Sequence, residues 1–189
     1  MSVYISNGNK KIDRDCLVFN LPTTICFGKG KQCKGCYAKK AEYLYPQVLP
    51  CRLKNLKASN TENFISFVQD RINHSRKKIF RIHESGDFYS QSYINKWATI
   101  VKNNPHIQFY GYSKKFEKLD LSGLNNLSNC NIINSMSNEG YNFGDIDFLK
   151  TLANDQNFYI CPCEIEKKAK CMKNCFACLT EKKVCFLKH

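Results

Sequence analysis

Lys77-Lys78-Ile79-Phe80-Arg81-Ile82-His83, followed by Glu84-Ser85-Gly86-Asp87, decides how this chain reads. A short apolar run that breaks at a polar, glycine-containing turn predicts a strand ending at His83. Ser90 then stands as an N-cap before Tyr93, Ile94, Trp97, Ala98 and Val101, one apolar helical face that Asn103-Asn104-Pro105 brings to an end. Ile107-Gln108-Phe109-Tyr110-Gly111-Tyr112 is a second strand. Residues 77–112 therefore read as one strand–helix–strand crossover.

The pattern extends in both directions. Downstream, Cys130-Asn131-Ile132-Ile133-Asn134-Ser135 and Asn157-Phe158-Tyr159-Ile160-Cys161 read as strands, with Ile146, Phe148, Leu149 and Leu152 marking a short helix between them. Residues 114–129 show no regular spacing. Upstream, Cys16-Leu17-Val18-Phe19 suits a buried strand, and Tyr37, Ala41, Leu44 and Tyr45 form a helical face that stops at Pro46. Ser59-Asn60-Thr61-Glu62 reads as a capping box for a helix carrying Phe64, Ile65, Phe67, Val68 and Ile72. The expected fold is α/β: a parallel sheet of about five strands with right-handed crossover helices, as a partial TIM-like barrel or an open doubly wound sheet, followed by a cysteine-rich segment. Residues 1–14 read as a tail or edge element, 15–160 as the core and 161–189 as the cysteine-rich end. A length of 189 residues suits one domain with a sizeable core.

Hydrophobic residues at 43% exclude a disordered chain, and no apolar run is long enough to cross a membrane. The first residues lack the basic and apolar regions of a secretory signal, which predicts the cytoplasm, where twelve cysteines argue for metal ligation over disulfides. A formal charge of +13 makes nucleic acid a candidate partner. Against that, the basic residues are mostly lysine, with arginine only at positions 14, 52, 71, 76 and 81.

Two cysteine groups carry the chemistry. Cys26, Cys33 and Cys36 lie in a loop rich in glycine and lysine that runs into a helix. Three thiolates leave one iron of a [4Fe–4S] cluster open to a ligand; a zinc site completed by Cys16, Cys51 or a histidine is the alternative. Cys161 with Cys171, Cys175 and Cys178 supplies a full ligand set for a closed cluster or for zinc. Cys163 and Cys185 are further thiols in this segment, and Cys130 reads as a small buried apolar residue. In the turn after the second strand, Asp87 and Glu84 are candidates for orienting a small cosubstrate. His83 or Tyr112 would handle a proton, and Gly86 allows close backbone approach. All these groups fall just past strand ends, where α/β sheets bind ligands.

Cys33-Lys34-Gly35-Cys36-Tyr37-Ala38, His83-Glu84-Ser85-Gly86-Asp87 and the closing Cys161-Pro162 with Cys171, Cys175 and Cys178 resemble the phage gene product 88 family and, more distantly, the radical S-adenosylmethionine superfamily. The second resemblance implies a [4Fe–4S] cluster on Cys26, Cys33 and Cys36, with Ser85, Gly86 and Asp87 in the place of the turn that holds the amino group of S-adenosylmethionine. It also implies an auxiliary cluster at the C-terminal group. A phage origin implies the host cytoplasm, and the basic balance makes a tRNA or other nucleic acid, or a host protein, the expected partner.

Overall fold

The computed structural model describes residues 2–9, 12–26, 35–135, 150–151, 159–162, 171–181 and 184–185. Its centre is a five-stranded sheet: β1 (Ile5–Asn7), β2 (Cys16–Phe19), β3 (Ile79–Ile82), β4 (Gln108–Ser113) and β5 (Cys130–Asn134). The strands lie side by side in chain order. β2 to β5 are parallel, with Leu17 opposite Phe80, Phe80 opposite Phe109 and Phe109 opposite Cys130, while β1 runs antiparallel along the edge of β2.

The connections carry α1 (Tyr37–Leu44), α2 (Val48–Ser59), α3 (Phe64–Asn73), α4 (Gln91–Lys102) and the single turn α5 (Ser122–Asn125). Because strand order never reverses, right-handed crossovers stack their helices on one face of the sheet. That face buries Leu17, Phe19, Phe80, Ile82, Phe109 and Ile132 against Phe64, Val68, Tyr93, Trp97 and Leu124. Trp97 is the hub, with Phe19, Phe64 and Phe80 edge-on to it at 5.3–5.6 Å. α4 starts as expected, Ser90 Oγ accepting the Tyr93 amide at 3.2 Å.

Period-two alternation sends the other half of each strand to the opposite face. There Cys16, Val18, Tyr110 and Ile133 are covered, among the described residues, by Ile12, Met172 and Cys178, the last in a 3-10 turn (Ala177–Leu179).

Three expectations are corrected. Among the described residues the strands lie in sequential order with the packed α-helices on one face, which corrects the doubly wound alternative. Its fifth strand is β1, not residues 157–161: β6 (Tyr159–Ile160) pairs with β7 (Val184–Cys185) in a separate two-stranded sheet. β1 escaped notice because its pattern is so short, with only Val3 and Ile5 buried. The capping box does not form, because Ser59 ends α2 and donates to the Leu56 carbonyl, leaving Asn63 to open α3. α2 itself was invisible to an apolar-periodicity search. Its buried face is Arg52, Asn55, Ala58 and Ser59, and Pro50 sits in the first turn, where its missing N–H costs nothing. The expected helix around residues 146–152 lies largely outside the described residues.

Candidate thiol sites and the rim of the sheet

At the carboxyl ends of β2, β3 and β4, a network of hydrogen bonds joins three loops. Asn20 Oδ1 accepts the amides of Glu84 and Ser85 at 2.8 and 2.9 Å, and Ser85 Oγ donates to the Leu21 carbonyl at 3.0 Å. Gly86 has φ +86°, and a Cβ there would meet Leu21 Cβ at 2.6 Å, so both conformation and space demand glycine. Asp87 is buried. Its Oδ1 accepts from Ser113 Oγ and the Phe88 amide, each at 2.7 Å, and its Oδ2 accepts the Lys114 amide at 3.0 Å. Burial raises its pKa, and these donors only partly offset that. The carboxylate therefore ties the β3 loop to the end of β4.

His83 has φ +65°, a strained value for a non-glycine residue, and its ring is turned into the helix-covered core between Phe19, Phe88 and Tyr93. Nε2 shares a 2.8 Å hydrogen bond with Tyr93 Oη, while Nδ1 is buried without a partner. Desolvation, with a smaller push from Arg81, brings its pKa down to about 3, so the ring is neutral at pH 7. Glu84 points the other way. Its Oε1 accepts from Asn9 Nδ2 at 2.5 Å, and it helps line a cavity of about 380 Å³ with Tyr4, Tyr37, Tyr45, Cys51 and Arg52.

Cys26 follows a 3-10 turn (Thr23–Ile25), and Cys36 is the N-cap of α1. Both are half-buried; Cys33 lies outside the described residues. The two arms of this loop are linked by Glu42, whose carboxylate accepts from the Thr23 amide (2.8 Å), Thr23 Oγ1 (2.6 Å) and Arg52 (2.9 Å). Burial would raise the Glu42 pKa, but the bonds from Thr23 and Arg52 outweigh it and leave it lowered. Sequence reading missed Glu42 and Arg52, whose ten-residue separation across two helices carries no motif.

The C-terminal cysteines lie elsewhere, on the opposite face of the sheet. The Cys171 and Cys178 thiols hydrogen-bond each other, and the backbones of Cys171 and Cys175 pair. Tyr112 Oη lies 2.6 Å from Cys178 Sγ, and Tyr110 Oη and Tyr159 Oη lie 3.8 and 3.7 Å from the sulfurs of Cys171 and Cys175. Buried Cys161 adds to the electrostatic load on Cys178. The Arg81 guanidinium stacks beside the rings of Tyr110 and Tyr112, 5.8 and 5.3 Å from their centroids. Donation from Cys178 first, then the Arg81 charge, pull Cys171 down to about 6 against the effect of burial; Cys178 is driven up correspondingly. Cys16, beneath this group, is pushed up to about 12 by burial. Cys130 is buried in the core, and Cys163 lies outside the described residues. Among the described residues, no three His, Cys, Asp or Glu side chains are gathered closely enough to hold a metal ion as they stand. None of their helices is long and apolar enough to cross a membrane.

The class defined by this geometry is an α/β protein with a sequential, one-side-wound sheet whose open face carries a thiol cluster. The family is equally definite: the model of the family "Gene product 88" matches residues 4–184, and the chain belongs to it. It is 28% identical over 153 residues to the Gene 88 protein of Mycobacterium phage L5, covering 68% of this chain and 64% of that protein. To the Gene 88 protein of Mycobacterium phage D29 it is 30% identical over 92 residues, covering 43% of this chain and 38% of that protein. The matched part thus spans less than two thirds of either relative. No solved structure matches the chain.

Proposed function

We propose that this member of the gene product 88 family is a phage-encoded metal–thiolate protein of the host cytoplasm, with iron–sulfur clusters as its cofactors. The observation that carries the reading is the Cys171–Cys178 thiol pair beside the Arg81 cation, with Cys175 joined to Cys171 through the backbone and tyrosine hydroxyls facing the three sulfurs. Cys171, Cys175, Cys178 and Cys161 would hold a closed cluster, whose excess negative charge Arg81 would offset. Tyr110 and Tyr112 direct hydroxyl groups toward sulfur. Cys26, Cys33 and Cys36 would hold a second centre with an open position, its two arms tied together through Glu42. Such centres supply one-electron transfer.

The engagement of Asp87 bears on S-adenosylmethionine. A carboxylate that already accepts three hydrogen bonds favours a structural clasp over a grip on a cosubstrate ammonium group, and Ser85 is likewise committed to Leu21. Buried, neutral His83 is ill placed to exchange protons with a ligand in the cleft. We therefore favour electron transfer or regulation over radical chemistry, with Glu84 as the rim carboxylate left facing a cavity.

Anaerobic purification followed by metal and sulfide analysis tests this. The expected protein is brown, carries iron and inorganic sulfide, and loses only part of its iron in Cys171→Ser. A colourless protein that takes up zinc and refuses iron reconstitution would replace the proposal with a zinc-stabilised factor. Reductive cleavage of S-adenosylmethionine by the iron-loaded protein would restore the radical reading.

A further inference from the structure

The α1–α2 hairpin exposes apolar side chains that nothing in the thiol chemistry uses. Tyr43 is 90% exposed, and Tyr37, Leu44, Tyr45 and Leu53 are each about half exposed or more. One such residue is ordinary, but a group on a single hairpin marks an interaction surface. The exposed charges of the hairpin itself have one sign. Residues 37–59 carry Lys39, Lys40, Lys54 and Lys57, all exposed, while their one acid, Glu42, is consumed by Arg52 and Thr23. On α1, Lys39 and Lys40 lie one turn before Tyr43 and Leu44, and on α2 Leu53 and Lys54 lie one turn before Lys57. Rings and ammonium groups are thus neighbours on the helix surface.

We propose that this hairpin is a docking surface for single-stranded RNA. Lysines attract any polyanion, but exposed tyrosines reward only one whose flat π faces are open to stack, and a duplex hides those faces. Unpaired bases are displayed by RNA loops, whereas DNA is ordinarily paired. The cavity of about 380 Å³ at the foot of the hairpin gives one splayed base a place between Tyr37 and Tyr45. Tyr37 is held in position there by donating to the Glu84 carbonyl at 2.7 Å, and the Glu84 carboxylate on the wall can accept from a base N–H. Cys51 also lines this cavity, but the exposed tyrosines and lysines that carry the inference are not thiols, so its test does not depend on the metal reading.

Fluorescence anisotropy of the full chain, purified anaerobically, with a labelled 12-nucleotide oligo(rU) tests the assignment. Four phosphate contacts predict a log–log salt slope of about −3. Tyr43→Ala/Tyr45→Ala should raise Kd roughly tenfold or more at unchanged slope, because both rings are exposed and their loss leaves the fold intact. Lys40→Glu/Lys54→Glu should weaken binding and flatten the slope, whereas Lys102→Glu at the end of α4 should change little. The assignment is overturned if the tyrosine variant binds as tightly as the parent, or if Lys102→Glu costs as much as the hairpin lysines. It also fails if oligo(dT) or a duplex of equal length binds more tightly than oligo(rU). Binding to acidic peptide or anionic vesicles without any to oligo(rU) would give the surface to another partner.

Discussion

The two faces of the central sheet are stabilised by different physics. On the helix side, Phe19, Phe64, Phe80 and Trp97 form an apolar aromatic core supplied by crossovers that neighbour each other in sequence. On the other side, Tyr110, Tyr112, Cys16 and Arg81 meet residues 171–179, which arrive from the far end of the chain and make their contacts largely through sulfur, hydroxyl and guanidinium groups. Apolar burial is non-directional and tolerates neutral substitution, whereas buried thiols and a half-buried cation depend on their partners being present. The first face is held by apolar burial; the proposed metal centre belongs to the second.

The largest expected effect follows from removing that proposed centre. With structural metal–thiolate sites contributing on the order of 10 kcal/mol of apparent binding energy, chelation should release residues 171–181 and β6–β7 while β3 and α4 stay protected. Hydrogen exchange read by mass spectrometry checks this, and equal loss of protection on both faces would erase the distinction drawn here. Next in size is Trp97→Ala, expected to cost about 3–5 kcal/mol in urea unfolding while leaving bound metal per folded molecule unchanged. Loss of metal from the folded variant would show that the faces are coupled. Smaller again is a pH effect confined to the helix side. His83 has its folded pKa near 3, so below the ordinary 6.5 the unfolded chain takes up a proton that the folded chain refuses. Stability from this group is complete above pH 6.5 and falls as pH drops toward 3, by about 2 kcal/mol between pH 7 and 5. Urea titrations of His83→Asn, a residue that tolerates positive φ, should show a shallower loss, and an unaltered pH profile would assign the acid sensitivity elsewhere.

How much of this could be read beforehand differed by region. β3, α4 and β4 were legible almost residue for residue, because each has clear periodicity and ends at a cap, a glycine or a proline. α2 was not, since a helix that buries Arg52, Asn55 and Ser59 shows no apolar stripe; its partners Glu42, Tyr4, Asn20 and Tyr89 are scattered through the sequence. Asp87 was picked out as chemically significant from its turn, but its saturation by Ser113, Phe88 and Lys114 depends on where β4 ends. His83 looked accessible in the same turn, and only its backbone twist sends the ring inward. The two cysteine groups were evident from spacing, yet they occupy different places: Cys26 and Cys36 are near the rim, and the C-terminal group is against the tyrosines of the opposite face.

The sequence by itself determined the parallel α/β order, the helix-side core, the richness in thiols and membership of the gene product 88 family, because periodicity, punctuation and motif similarity are properties of residues along the chain. Only the tertiary structure decided that β1 completes the sheet, that Arg81 stands beside Cys171 and that the acidic turn is used as a clasp. Those facts turn on which side chains meet across dozens of residues, and in burial and hydrogen bonding the energy belongs to the meeting and not to either residue alone.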